Sequence, residues 1–260
     1  MQPLETGFRN VNDVSLYYEV YGTGQPLVLI HGGGGSIQHD YQEIIPRLYS
    51  HFQLIGVDLQ NHGRSGHRTI PETFEQDASD VVELLRQLGV EKATFLGFSN
   101  GGNTVLKIAQ LFPERVEALV VASAFFRRDG MFDGFFEGMN HATLDDMPES
   151  LKTNFLHLTP DHSKLLNMFE KDSQRMIDFQ DWDESVLRSL RAPVLFLAGD
   201  QDVVKVQHTV EMAGLVDSSR VMILPAGHGT YLMADERGQT DKELIDFVAL
   251  QIVKFSNMSK

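Results

Sequence analysis

The sequence contains no cysteine. That absence excludes disulfide staples, thiol nucleophiles and thiolate metal sites together. It also fits a reducing compartment, so a cytoplasmic location is expected. No run approaches the roughly 20 apolar residues of a membrane-spanning helix. Met1 to Asn10 has no basic start followed by an apolar stretch, so no secretory leader is expected. Positive charge is scarce, with 22 basic against 36 acidic side chains and a net charge of −14. A field of that sign opposes non-specific binding to nucleic acid or to an anionic membrane surface. The expected partner is a small molecule, taken up by a monomer or homodimer. Repeats and low-complexity tracts are also missing.

What is present is a set of short, apolar, β-branched runs. They fall at residues 14–21, 26–30, 52–57, 93–98, 116–122, 192–199 and 221–224. Several have no polar alternation, as expected of central strands covered on both faces. Helical spacing lies between them. Ala78, Val81, Val82, Leu84, Leu85 and Leu88 share one face and stop at Gly89, residues 103–112 follow the same period, and so does the stretch from Leu244 to Val253. Strands alternating with helices predict an α/β fold, a mostly parallel central sheet flanked by helices.

From Phe125 to Trp182 this rhythm stops. The segment holds 8 of the 17 phenylalanines and 5 of the 10 methionines, yet no clear buried strand, which marks it as a helical insertion rather than part of the sheet. The expected organisation is a core of residues 1–124 and 187–260, interrupted by an insertion at 125–186. Phenylalanine and methionine favour an apolar, adaptable lining, a minority of them facing a ligand and the rest packing the helices.

Chemistry concentrates where strands end. Gly97-Phe98-Ser99-Asn100-Gly101 matches G-x-S-x-G between a predicted strand and a predicted helix, the context that gives this pattern meaning. Small flanking residues let the chain turn sharply and push the hydroxyl into the open. A serine hydroxyl needs an adjacent base at neutral pH. Imidazole suits that task, and a carboxylate behind it fixes its tautomer. Downstream, a strand ends in Gly199-Asp200-Gln201-Asp202 and a later one in Gly227-His228-Gly229. The loop His31-Gly32-Gly33-Gly34-Gly35 offers backbone amides to a ligand without side-chain clash. It lacks the Gly-Lys-Ser/Thr ending and the G-x-G-x-x-G context of nucleotide sites.

From about residue 14 onward the chain resembles the α/β-hydrolase fold family, in its branch of serine-nucleophile esterases and carbon–carbon bond hydrolases with a helical cap. The resemblance rests on five motifs in the family's order: His31-Gly32-Gly33, Asp58 through Ser65, Gly97 to Gly101, Gly199 to Asp202, and Gly227 to Gly229. It implies Ser99 as nucleophile, His228 as base and Asp202 as acid, with Asp200 the rival acid or a turn-holding residue. The oxyanion would be held by the N–H groups of Gly33 and Asn100, Gly34 being a close alternative to Gly33. Gly34, Phe98, Phe125 and Phe126 are the expected substrate contacts, and the insertion corresponds to the cap. Asp58 would brace the elbow, and Asn61 stands where relatives often have glycine. His31 would shape its loop, while His62, His67, His141, His157, His162 and His208 read as surface residues. Arg127 and Arg128 read as solvated charge, with receipt of a substrate carboxylate as the alternative.

The implied activity is acyl transfer on carboxylic esters, lactones or thioesters, with no metal and no organic cofactor. A serine at the elbow argues against the aspartate chemistry of dehalogenases and epoxide hydrolases. Carbon–carbon bond hydrolysis with the same residues is the nearest rival, and a non-catalytic binding protein on the same scaffold is the rival of another class.

Overall fold

The seven apolar, β-branched segments and one further strand before them pair into one sheet. The structure, a computed structural model, describes residues 1–258. Its strands are β1 (Glu5–Val11), β2 (Val14–Tyr21), β3 (Pro26–Ile30), β4 (Gln53–Asp58), β5 (Ala93–Phe98), β6 (Val116–Ala122), β7 (Val194–Gln201) and β8 (Ser219–Gly227). Their spatial order is β1-β2-β4-β3-β5-β6-β7-β8. The pairs β1–β2 and β2–β4 are antiparallel, and every later pair is parallel.

The helices are α1 (Ile37–Tyr41), α2 (Ile45–Leu48), α3 (Phe74–Gln87), α4 (Asn100–Leu111), α5 (Phe135–Met139), α6 (Glu149–Leu158), α7 (His162–Ile177), α8 (Ser185–Arg188), α9 (Val206–Gly214) and α10 (Lys242–Met258). Side chains alternate across a strand, so β3 feeds two cores. Val28 and Ile30 pack with α3, α4 and α9 on one face, while Leu27 and Leu29 pack with α1, α2 and α10 on the other. Both cores use fully buried aliphatic side chains, each worth about 1.5–3 kcal/mol of transfer free energy. The sheet is thereby fixed between two helical layers, and its carboxyl edge becomes a rigid platform.

Strand β1 is a departure from the sequence reading, which begins the sheet at residue 14. Only one of its seven residues is buried, and Phe8 is exposed. An edge strand of this kind draws its order from hydrogen bonds to β2 more than from apolar burial, so its pattern is faint. Between β6 and β7 the chain contributes α5 to α8 and no named strand; an isolated bridge from Met131 to Val204 ties the segment to the stretch after β7. Within it, α7 starts at Asp161, whose carboxylate accepts from the N–H groups of Ser163 and Lys164.

Candidate active site

At the end of β5 the backbone turns directly into α4, with Ser99 between them at φ +53° and ψ −122°. A non-glycine residue held there is strained, and its neighbours explain how the strain is accommodated. A Cβ on Gly97 would lie 2.2 Å from the carbonyl oxygen of Gly101, and one on Gly101 would lie 2.1 Å from that of Ile30. Only hydrogen fits at either position. The tight crossing lifts the Ser99 hydroxyl away from the sheet and sets it over the N-terminus of α4, where the helix dipole favours negative charge.

Two further strand ends approach this hydroxyl. The Nε2 of His228, in the loop after β8, lies 3.1 Å from Ser99 Oγ, and its Nδ1 lies 2.6 Å from Asp202 Oδ1. Burial pushes the Asp202 carboxyl up, but the hydrogen bonds and charge supplied by His228, Ser123 and the Gly199 amide outweigh it and hold it below the usual range. Asp202 therefore stands ionised against the imidazole. Its second oxygen accepts from Ser123 Oγ, which in turn lies 2.6 Å from the Tyr231 hydroxyl. Ser123 sits at φ +52°, a second strained serine at the sheet edge. Asp200 faces elsewhere: its carboxylate accepts from the Ala226 N–H at 3.1 Å and so stitches β7 to β8.

The glycine loop is a turn closed by the Gly35 N–H on the Gly32 carbonyl at 3.1 Å. His31 fixes its start. Its Nε2 accepts from the Leu59 N–H at 2.9 Å, so its Nδ1 carries the proton and donates to the Gly32 carbonyl at 2.7 Å. Burial, helped by the nearby His62 charge, keeps this ring neutral by lowering its pKa to about 4. The Gly32 amide is taken by Asp40 at 2.7 Å and the Gly34 amide by Asp172 at 2.6 Å. Of the four glycine amides only that of Gly33 has no partner among the described residues. This separates Gly33 from Gly34, which sequence reasoning leaves as alternatives. A Cβ on Gly33 would lie 2.7 Å from the Asn100 side-chain nitrogen, so the loop and the elbow are in close contact.

Gly33, Ser99, Asn100 and His228 open onto a cavity of about 700 Å³. All five methionines of the segment between β6 and β7 line it (Met131, Met139, Met147, Met168 and Met176), together with Phe125, Phe132, Phe135 and Phe169. The share facing the cavity is thus larger than the sequence suggests. Two expected contacts fall outside the lining. Phe98 lies below it, its ring 4.7 Å from that of His228, and Phe126 is buried against His208 at 4.8 Å. Phe125 lines the cavity and Phe126 does not.

His62 and His208 are buried, not superficial. His208 Nε2 accepts from the Phe126 N–H at 3.1 Å, and burial with the Arg127 charge lowers its pKa to about 4. Arg127 pairs with both carboxylate oxygens of Glu211, and Arg128 donates to the Phe179 carbonyl; neither reaches the cavity. Asp58 accepts from the Ile37 and Arg64 amides and braces two loops. Asn61 adopts φ +64°, the left-handed conformation that glycine takes without strain. Ser123, Tyr231, His62 and Asp172 carry no sequence signal, because their partners lie 79 to 138 residues away.

A serine on a strained strand-to-helix turn at the carboxyl edge of a mostly parallel sheet, met there by an imidazole and a carboxylate from later strands, defines a class of protein. Residues 25–166 match the family described as alpha/beta hydrolase fold, and the chain belongs to that family of hydrolases. It is 29% identical over 191 residues to a protein of Azorhizobium caulinodans provisionally named carbamate hydrolase RutD, covering 72% of this chain and 71% of the relative. It is 25% identical over 244 residues to the 2-hydroxy-6-oxo-6-(2'-aminophenyl)hexa-2,4-dienoic acid hydrolase of Metapseudomonas resinovorans, covering 85% and 83%. Among solved structures, an esterase from Exiguobacterium antarcticum superposes with a TM-score of 0.75 at 25% identity over 98% of this chain and 100% of its own.

Proposed function

We propose that this hydrolase cleaves small, uncharged, moderately apolar carboxylic esters, lactones and thioesters included, through an acyl-enzyme on Ser99. The observation that carries the reading is the continuous hydroxyl–imidazole–carboxylate relay, 3.1 Å and 2.6 Å in its two links, at the mouth of an apolar cavity. Ser99 Oγ attacks the carbonyl carbon while His228 takes its proton at Nε2. Asp202 holds the ring in the productive tautomer and stabilises the imidazolium. Negative charge gathering on the carbonyl oxygen meets the N–H groups of Gly33 and Asn100, reinforced by the α4 dipole. His228 then returns the proton to the leaving alkoxide as the carbon–oxygen bond breaks, and repeats the cycle with water to release the acid.

The lining favours neutral substrates. Asp146 contributes a carboxylate to the cavity wall, the Asp172 carboxylate there is paired with His62 and Arg175, and no arginine or lysine lines the wall among the described residues. A dienoic acid of the kind named for the Metapseudomonas relative would bring a carboxylate with no arginine or lysine on the wall to receive it. This weighs for esters over carbon–carbon bond hydrolysis. The absence of cysteine supports a cytoplasmic setting, and no helix among the described residues is long and apolar enough to cross a membrane. Whether the enzyme acts as a monomer or a homodimer is read by size-exclusion chromatography with light scattering.

A panel of p-nitrophenyl esters of graded acyl length, run beside an anionic vinylogous diketone, tests the substrate class. Turnover of the short and medium esters with little diketone cleavage is expected; the reverse preference would overturn the ester reading. Fluorophosphonate labelling that disappears in Ser99→Ala distinguishes an enzyme from a binding protein on the same scaffold.

A further inference from the structure

Helix α7 carries two buried charges with no task in the chemistry above, Asp172 and Arg175. Both are buried, Asp172 beside the cavity wall. Asp172 Oδ2 lies 2.8 Å from His62 Nε2 and accepts from the Gly34 N–H at 2.6 Å, while its Oδ1 accepts from Arg175. Arg175 donates to Asp77 at 2.7 Å and lies 3.6 Å from Glu72. His62 Nδ1 lies 2.8 Å from the Gln60 carbonyl, an acceptor only, so that nitrogen carries a proton. With the second nitrogen on a carboxylate, the ring is an imidazolium. It therefore offers no lone pair to the Gly34 amide, whose acceptor is the carboxylate.

The consequence lies in the glycine turn. Its first peptide is pinned by the Gly32 carbonyl, which accepts from His31 and from the Gly35 amide. Because a trans peptide points its C=O and N–H in opposite directions, this aims the Gly33 N–H outward. The central peptide, between Gly33 and Gly34, donates its N–H to Asp172. Gly34 sits at φ +67°, a glycine conformation with low barriers to alternatives. The acceptor that holds this peptide thus belongs to a helix of the insertion, while the other anchors belong to the core.

Resting on the ester-hydrolase reading, we propose that Asp172 is a positioning residue that locks the Gly33–Gly34 turn, so that the oxyanion donor is correctly placed only when α7 is seated on the core. The two flanking cations, His62 and Arg175, keep the carboxylate ionised for this purpose. Seating of the cap helix and assembly of the oxyanion site are then one event.

The test uses the full chain with p-nitrophenyl butyrate, an alkyl trifluoromethyl ketone that adds to serine as a tetrahedral oxyanion, and the corresponding alcohol as a neutral ground-state ligand. Asp172→Ala removes the acceptor; its kcat should fall about 10- to 100-fold, with KM changed less than about threefold. Affinity for the ketone should fall by the same factor as kcat, and affinity for the alcohol should hold. Asp172→Asn keeps an oxygen for the Gly34 amide while breaking the charge pairing, and should recover most of the loss. A purely structural ion network predicts instead that Asn is as harmful as Ala and that ketone and alcohol weaken together. That pattern, or a kcat for Asp172→Ala within about twofold of the parent, overturns the proposal. If Asp172→Ala does not fold, the double variant Asp172→Leu/Arg175→Met removes the lone guanidinium with the acceptor and is measured in the same way. Absence of ester turnover in the parent enzyme would fault the ester reading; normal parent turnover with unaffected variants would fault only the role of Asp172.

Discussion

At the scale of single residues, each group in the relay has a distinct consequence. Ser99→Ala and His228→Ala should each lower ester turnover by about 10⁴-fold or more, measured as initial rates at saturating substrate. The two aspartates beyond β7 separate cleanly. Asp202 touches the imidazole and Asp200 touches only the Ala226 amide. Asp202→Asn should therefore cost about 10²- to 10⁴-fold in kcat with the fold intact, whereas Asp200→Asn should leave kcat within a few-fold. A crippled Asp200→Asn would reverse the assignment. His62 supplies a pH signature of stability. Burial opposes its charge, but the Asp172 carboxylate wins and raises its pKa from 6.5 to about 9. The folded protein holds that proton more tightly than the unfolded chain does. The stabilisation is thus full below the unfolded pKa near 6.5 and is lost as pH rises towards 9. Urea unfolding across that window should show declining stability, and His62→Gln should flatten the decline.

At the scale of elements, the elbow is the least forgiving piece of the fold. A methyl group on Gly101 would lie 2.1 Å and 2.4 Å from the carbonyl oxygens of Ile30 and His31, so β3 and α4 would have to separate. Gly101→Ala should cost more than about 3 kcal/mol in denaturant unfolding, with activity lost in proportion. A loss below about 1 kcal/mol would show that the crossing is looser than its geometry. The sequence made this element readable because G-x-S-x-G, a strand before it and a helix after it are all local signals. The same holds for β3, β5 and β6, whose unbroken apolar runs reflect burial on both faces. Strand β1 was hard to read because a half-exposed edge leaves little apolar pattern, and the inward turn of His62 and His208 was hidden because a histidine's burial depends on partners far along the chain.

At the scale of the whole molecule, α7 docks on the core through buried charges rather than apolar contacts alone. Arg175 meets Asp172 on its own helix and Asp77 on α3, with Glu72 beside it, whose pKa burial raises to about 7 against the Arg175 charge. Buried pairs of this kind fix register more than they add stability, yet breaking one strands its partners. Arg175→Ala should lower stability by about 3–5 kcal/mol, read as a drop in the urea midpoint. The charge of the cavity wall gives a second prediction at this scale. A p-nitrophenyl ester whose acyl chain ends in a carboxylate should be turned over more slowly than its neutral isostere, with the penalty shrinking in Asp146→Asn. Equal rates for the two esters would remove the argument from the lining.

The sequence by itself determined the layered α/β architecture and the position of the strand-to-helix turn that carries Ser99, because each is written in residues adjacent along the chain. It also narrowed the base and the acid to the ends of two later strands. Only the tertiary structure placed Asp202 rather than Asp200 against His228, left the Gly33 rather than the Gly34 amide without a partner among the described residues, and put Phe125 but not Phe98 or Phe126 in the cavity wall. Those choices turn on which side of a strand or turn an atom faces and on what a distant segment places opposite it. Asp172 is the clearest case, since an acceptor on α7 meets an amide 138 residues away. No local pattern encodes that meeting; the packing of the helix on the sheet creates it.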